Sequence, residues 1–304
     1  MAFLRVSLFG IMRVTQGHSQ SEVKLAQSVG LLLAYLLLER QRQHAREALI
    51  GTFWADFDPK RARNCLNSAL WRLRSALDSN KGDQANYLIT SDQEVGFNWH
   101  SDFWLDVAEF DEQVKRVAFL PADQVSPAEI TCLEEALNLY QGELLEGIYE
   151  DWALRRREQE RLLYLEGLSY LLHYYKYINR NDRALTCAQK ILEVDPLREE
   201  IHREVMRLHQ LMGQRAKAVQ QYETYREILN KELGINPMQE TEHLLGMIMA
   251  DGFLPDPQAD RAAGAGIEAT RRLLDQALAN FDLARQQLWQ AVQSFEALAE
   301  KRLQ

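Results

Sequence analysis

Cysteine is scarce in this chain. Cys65, Cys132 and Cys187 are the 3 cysteines of 304 residues. They are odd in number, widely spaced and set in helical patterns, which argues for buried thiols and against a disulfide framework or a zinc site. Long hydrophobic runs are also missing: "VGLLLAYLLLE" is apolar for only about ten positions, where ~20 are needed to cross a bilayer. The N-terminal "MAFLRVSLFGIMRV" alternates apolar and polar residues and is interrupted by Arg5 and Arg13, unlike the continuous apolar region of a signal peptide. A cytoplasmic protein without a membrane partner is the expectation. Glycine and proline are few as well, 15 and 7, and the ordinary charged fraction points to a helix-rich globular chain rather than a disordered one. No G-x-x-x-x-G-K-[ST] phosphate loop, Ser/His/Asp order or carboxylate pair stands out, so neither catalysis nor a cofactor is expected. His202 and His209 lack a third ligand at helical spacing, which leaves them structural or surface residues rather than metal ligands. The arginines of "RRREQER" alternate with acids at helical spacing, the pattern of a salt-bridged solvent face.

Length and charge bound what remains. A chain of 304 residues fits two or three domains of roughly 100 to 150 residues, and more than one core. The formal net charge is -9, yet it is unevenly spread: residues 1–100 hold 12 Lys+Arg against 9 Asp+Glu, and the other 204 hold 23 against 35. A mildly basic end on an acidic body can dock on a polyanion while the rest stays clear of it.

The order of elements narrows the fold. Alternation at period two in "FLRVSLF", "MRVT" and "EVKLA" predicts short strands in a small antiparallel sheet. Val29 to Glu39 reads as a buried helix and "HAREALIGTFW" as a shorter one, with Leu49, Ile50 and Phe53 on its inner face. Asp58 followed by Pro59 is a helix start, and "NYLITSDQEVGFNW" reads as a hairpin. Beyond Asp106 the pattern is almost wholly helical. "DRALTCAQKIL" and "AKAVQQYETYR" superpose with Ala184 on Ala218, a separation of 34 positions, which is the period of a tetratricopeptide helix pair. "DGFLPDPQADRAAGAGIE" reads as a linker. A last helix, from about Ala269 to Leu303, carries Leu274, Phe281, Leu288 and Phe295 on one heptad position and Ala277, Ala284, Ala291 and Leu298 on the other. That seam suits either packing on the chain's own body or dimerisation.

The chemistry concentrates in "KRARNCLNSALWRLRSAL", residues 60–77, which hold five basic residues and no acid. At 100° per residue, Leu66, Leu70, Leu73 and Leu77 form one stripe. Arg61, Asn64, Ser68, Trp71, Arg72 and Ser75 face the other way, flanked by Lys60, Arg63, Asn67 and Arg74. Such a face suits the major groove: Arg can bridge the two acceptors of guanine, Asn pairs bidentately with adenine, and Ser allows close approach. Basic flanks reach phosphates and set register. Trp71 is bulky for a groove and fits equally against sugars, against the neighbouring hairpin or against another protomer.

"LLAYLLLERQRQHAREALIGTFWADFDPKRARNCLNSALWRLRSAL" with "GFNW" resembles the OmpR-type winged helix of the Streptomyces antibiotic regulatory protein family. "DPLREEIHREVMRLHQLMGQRAKAVQQYETYREILNKELGINP" resembles the family's bacterial transcriptional activator domain, so the likeness covers roughly residues 1–250. It implies a mainly α protein with an α+β N-terminal module: a winged helix-turn-helix over 1–100, a tetratricopeptide-like helical domain over 101–251, a linker over 252–267 and a long C-terminal helix over 268–304. The resemblance further implies a DNA-binding transcription regulator, usually an activator, that binds promoter direct repeats as adjacent copies and contacts RNA polymerase. Carried over by position, Arg61, Arg63, Asn64, Asn67, Ser68, Trp71, Arg72 and Arg74 become recognition-helix candidates. Arg46 becomes a phosphate contact, and Thr90, Ser91 and Gln93 lie in the wing near the minor groove. The heptad helix lies outside the matched pattern. A small-molecule or protein effector at the helical domain is a further expectation, from the aromatic run "YLLHYYKY" at 170–177. The competing reading is a tetratricopeptide-type adaptor whose winged helix does not bind DNA.

Overall fold

The computed structural model describes residues 3–17, 21–39, 42–77, 86–118 and 120–250. The chain opens with β1 (Leu4–Ser7) and β2 (Arg13–Gln16), an antiparallel pair with Leu4 opposite Gln16 and Ser7 opposite Arg13. Leu4 and Val6 turn inward and Arg5 outward, as the period of two requires. β3 (Ser21–Glu22) adds to β2 and is shorter than the strand expected over "EVKLA". Then come α1 (Gln27–Leu38), β4 (His44–Ala45), α2 (Arg46–Phe53) and α3 (Pro59–Leu77). β5 (Leu88–Thr90) and β6 (Glu94–Phe97) form the expected hairpin, and β4 pairs with the outer side of β6. α1 is apolar nearly all round because it is covered nearly all round, with α3 and β6 among its neighbours.

β7 (Phe103–Leu105) is not legible in the sequence. It joins the first sheet parallel to β1, Leu4 opposite Phe103 and Val6 opposite Leu105, in the order β3-β2-β1-β7. A parallel neighbour needs a long crossover, and here the helices and hairpin between the two strands supply it.

The helical domain starts with no spacer, since α4 (Asp106–Val117) begins at the residue after β7. α5 (Pro127–Leu137) has a full capping box, in which Glu129 N–H donates to Ser126 Oγ and Ser126 N–H donates to the Glu129 carboxylate. These hydrogen bonds hold the Glu129 carboxyl below its ordinary range. α6 (Asp151–Tyr177), α7 (Asn181–Val194), α8 (Glu199–Leu211), α9 (Arg215–Leu233) and α10 (Gln239–Met249) complete the described chain. α4 packs with α5, α6 with α7 and α8 with α9. Ala184 and Ala218, the repeat markers, are both fully buried at equivalent places in α7 and α9. Gly213 turns the chain between α8 and α9 at φ 71°, in the left-handed region that favours glycine.

The core does not divide at the end of the winged helix. One cluster of buried apolar residues runs from Leu4 to Leu208, and a small second one gathers Met206, Ala218, Tyr222, Leu244 and Ile248. There is more than one core, but the division falls within α8. Trp152 at the start of α6 stands edge-on to Tyr35 of α1 at 5.2 Å and reaches Phe53 of α2. Phe9, Phe110 and Tyr140 meet beside the β1 end. The deepest link is Asp106, whose Oδ2 accepts from the N–H groups of Leu8 (2.7 Å) and Phe9 (3.0 Å) while Oδ1 accepts from Val107 (2.8 Å). Burial nevertheless pushes this carboxyl up to about 6.

Several side chains lie differently from what the sequence leads one to expect. Helical spacing makes the arginines of "RRREQER" a solvent face, yet two of the four turn inward. Arg156 pairs with buried Asp111 and Glu160, and Arg157 donates to the carbonyls of Leu144, Leu145 and Ile148. Most of these partners are distant in sequence or on a loop, so helical spacing carries no sign of them. Of the three thiols expected to be buried, Cys187 is buried, Cys65 half-buried and Cys132 exposed. Tyr174 and Tyr175 are buried, and Tyr170 donates to the Leu120 carbonyl, so most of the run that suggests an effector groove is occupied in interhelical packing. The heptad residues Leu274, Ala277, Phe281, Ala284, Leu288, Ala291, Phe295 and Leu298 lie outside the described residues.

Candidate nucleic-acid interface

α3 is positioned from its first turn. Pro59 opens it, and Asp58 Oδ1 accepts from the N–H groups of Lys60 (3.2 Å) and Arg61 (3.1 Å), which satisfies two donors that a helix start leaves open. Ala62, Leu66, Ala69, Leu70, Leu73 and Leu77 are buried. The leucine stripe of the sequence is thus the packed one, widened by Ala62 and Ala69.

The opposite face is open. Arg61, Asn64, Ser68, Trp71, Arg72 and Ser75 are all exposed, as is Lys60. Trp71 is 70% exposed, so its ring does not pack on the hairpin, and of the three fits open to it the intramolecular one falls away. Among the described residues, the side chains of Lys60, Asn64, Ser68 and Arg72 make no hydrogen bond or ion pair with other protein groups. Arg61 lies over the Phe57 ring at 4.5 Å, a stacking that steadies the guanidinium and leaves its donors free.

The flank toward α2 and the hairpin is tied instead. Arg63 Nε and Nη2 donate to Glu47 Oε1 at 3.1 and 2.9 Å. Arg46 donates to Asn67 Oδ1, and Arg74 donates to Thr90 Oγ1. Arg46 also donates its backbone N–H to the Gln93 carbonyl, 2.8 Å. Between these groups lies a hollow of about 380 Å³ lined by Arg46, Glu47, Ile50, Arg63, Asn67 and Asp92 among others. The hairpin turn is closed by Ser91, whose Oγ accepts from Gln93 N–H (3.3 Å) and Glu94 N–H (2.9 Å).

The candidates read from the sequence therefore separate into two groups. Lys60, Arg61, Asn64, Ser68, Trp71 and Arg72 present free chemistry along one helix face. Arg46, Arg63, Asn67, Arg74, Thr90 and Ser91 hold α2, α3 and the hairpin in register, and Gln93 stays exposed at the turn. Glu47 and Phe57, which orient Arg63 and Arg61, escape the sequence reading. Phe57 is four residues from Arg61 and is findable as a local pair, whereas Glu47 and Arg63 sit on different helices. Asp92 and Glu94 put negative charge at the hairpin turn.

Elsewhere the polar chemistry is structural. His202 Nε2 bonds the Pro196 carbonyl at 2.9 Å, its ring stacks on Tyr225 at 4.1 Å, and burial lowers its pKa. His209 bonds Gln214 and is lowered for the same reason. Among the described residues no group of His, Cys, Asp or Glu is placed to hold a metal ion, and no helix is long and apolar enough to cross a membrane.

Comparison with known proteins agrees with this architecture. Residues 105–249 match the bacterial transcriptional activator domain. Regulatory protein AfsR of Streptomyces griseus is 27% identical over 266 residues, covering 86% of this chain and 26% of that protein. Its counterpart in Streptomyces coelicolor is 25% identical over 240 residues, covering 77% and 23%. The chain thus spans about a quarter of the length of these relatives. The structure of Mycobacterium tuberculosis EmbR, solved in complex with a low-affinity phosphopeptide, superposes with a TM-score of 0.64 at 20% identity, over 91% of this chain and 72% of that one.

Proposed function

The chain is of the Streptomyces antibiotic regulatory protein type, a winged helix followed by a bacterial transcriptional activator domain, and from that premise we propose that it activates transcription by laying α3 in the major groove of promoter DNA. The observation that carries this reading is the outer face of α3. It holds no acid, it is fixed by buried residues on its other side, and among the described residues Asn64, Ser68 and Arg72 on it have no side-chain partner. Arg61, Asn64 and Arg72 read base edges, and Ser68 permits the close approach. Lys60 at the helix start reaches phosphate, with Arg46, Arg63 and Arg74 adding positive field from the flank. Trp71 lies against the sugar backbone or an adjacent copy bound on the next repeat. The acidic helical domain stays clear of the duplex and offers the surface that meets RNA polymerase.

The test starts from genome-wide mapping of bound DNA, which supplies a site for fluorescence anisotropy. Each side chain that reads a base edge is worth about 1–3 kcal/mol, so combining Arg61→Ala, Asn64→Ala and Arg72→Ala weakens specific binding by at least about 100-fold. The salt slope flattens by about 0.9 for each phosphate that is no longer neutralised. Unchanged affinity in the triple variant sinks the recognition-helix assignment. A chain that is not retained on a DNA column even at low salt is instead the adaptor of the competing reading.

A further inference from the structure

A cavity of about 480 Å³ lies where the first sheet, the start of α1 and the loop between α5 and α6 meet. That volume falls in the range of roughly 300–1,000 Å³ over which small-molecule sites occur. None of its lining residues belongs to α2, α3 or the β5–β6 hairpin, so it stands apart from the face of α3.

Its floor is apolar and its walls are fixed. Met12, Val23, Leu25, Leu31 and Ile148 line it and are each half-buried, so apolar surface from four separate segments borders one space. Leu145 joins the lining from a left-handed backbone, φ 51°, which a β-carbon disfavours. Hydrogen bonds hold it there. Leu145 N–H donates to the Leu8 carbonyl (2.9 Å) and Glu146 N–H to the Gly10 carbonyl (2.9 Å), while Arg157 Nη2 donates to the Leu145 carbonyl (2.8 Å). The cavity is thus walled by both modules, and its loop is pinned to the turn after β1.

Four charged side chains line the same space: Arg13, Glu22, Lys24 and Glu146. All four are exposed, and among the described residues none of these side chains has a hydrogen-bond or ion-pair partner. Opposite charges therefore stand around one apolar floor without neutralising each other. Lys24 comes from the segment between β3 and α1 and Glu146 from the α5–α6 loop, so the two signs lie on different walls.

We infer that the cavity binds a small apolar zwitterion of dipeptide size, its carboxylate paired with Lys24 and its ammonium with Glu146. An apolar pocket with a few placed polar groups is the usual make-up of a small-molecule site. A singly charged ligand leaves one sign of the rim unanswered, whereas a molecule with both ends charged answers each. Two residues of chain span at most about 7 Å, which fits a space of this volume with both side chains left for the apolar floor. Because both modules wall the site, the bound molecule adds contacts across their joint.

The experiment uses the full chain with ¹³C-methyl methionine and the dipeptide leucyl-phenylalanine as probe, at pH 7. Met12 is on the wall, and Met206, Met212, Met238, Met247 and Met249 serve as controls for folding. The expected result is a saturable shift of the Met12 methyl alone, lost in Leu31→Trp, whose larger side chain fills the space. The N-acetyl dipeptide and the dipeptide amide each lack one charge and should bind about three- to fivefold more weakly, the size expected of ion pairs at an exposed rim. Glu146→Gln should bind the dipeptide and its N-acetyl form equally, and Lys24→Gln should bind the dipeptide and its amide equally; both positions are exposed, so neither change disturbs the core. A Met12 methyl unmoved at millimolar probe, or one that still shifts in Leu31→Trp while the control methyls keep their places, would overturn the site. Equal binding of all three probes to the wild type, or undiminished acetyl and amide penalties in the two variants, would overturn the assignment of a zwitterion to Lys24 and Glu146.

Discussion

Replacing Asp106 tests the joint between the two modules with both a magnitude and a direction. Its carboxylate is 3% exposed and accepts three backbone N–H groups, two from the end of β1 and one from α4. Asp106→Ala leaves those donors unpaired at about 1–3 kcal/mol each. Against that stands relief from burying a charge. The carboxyl rises from 3.8 to about 6, which at 1.36 kcal/mol per unit corresponds to about 3 kcal/mol at neutral pH. The net expectation at pH 7 is a loss of about 3 kcal/mol for Ala. Asp106→Asn keeps an acceptor for Leu8 and Phe9 and carries no charge, so the cost of the Val107 donor, about 1–3 kcal/mol, is offset by the same relief of about 3 kcal/mol, and at pH 7 this variant should match wild type or exceed it by up to about 2 kcal/mol.

The pH dependence is the sharper part. Because the folded carboxyl takes up a proton more readily than the unfolded one, its contribution to stability is greatest below pH ~4 and is lost as pH rises through about 6. Urea unfolding followed by tryptophan fluorescence at pH 4 to 8, for wild type and Asp106→Asn, isolates this group in the difference between the two curves. The wild type should lose about 2 kcal/mol relative to the Asn variant between pH 4 and 7. A flat difference, or one that grows in favour of wild type with pH, would mean that the three N–H donors outweigh burial, and the reasoning would fail.

Three further outcomes follow from the geometry. Arg157→Ala strips the carbonyls of Leu144, Leu145 and Ile148 of their shared donor and should cost about 3 kcal/mol, with proteolytic nicking near residue 145 as its signature; an intact loop would contradict it. Asp58→Ala removes the acceptor at the α3 start and should lower stability by about 1 kcal/mol, read as a fall in the urea midpoint with an unchanged slope. Trp71→Ala should leave stability within about 0.5 kcal/mol because the ring is exposed, while DNA affinity falls measurably; a large drop in melting temperature would show that the ring is packed after all.

The sequence discloses α3 most completely, and the reason is physical. Its leucine stripe, its Asp58-Pro59 start and its acid-free outer face are all local patterns, and the local pattern is the one the structure uses. The 34-residue repeat is legible for the same reason: Ala184 and Ala218 are small because other helices press on them. β7 is hidden because three residues, "FWL", show no period of their own, and their pairing comes from β1 about a hundred positions earlier. The inward turn of Arg156 is equally hidden, since Asp111 lies 45 residues away on α4. Among the candidates, residue type alone cannot separate side chains left open from those that brace other elements. Glu47 and Thr90, which take up Arg63 and Arg74, belong to other elements.

That separation bears on how the two modules act together. Strand β7 belongs to the sheet of the winged helix, and the next residue, Asp106, opens the first helix of the following domain while its carboxylate closes on the β1 end. Trp152 adds a second attachment against α1 and α2, and the core passes through both without a break. Linked domains move freely only when few contacts cross a polar boundary, and here the boundary is apolar, hydrogen-bonded and shared. A swinging linker between α3 and the first helices of the body is thereby excluded. The apolar division inside the stack comes later, within α8, where the second cluster begins. α9 and α10 therefore rest largely on this smaller cluster, while α3 is held in the main core by its leucines.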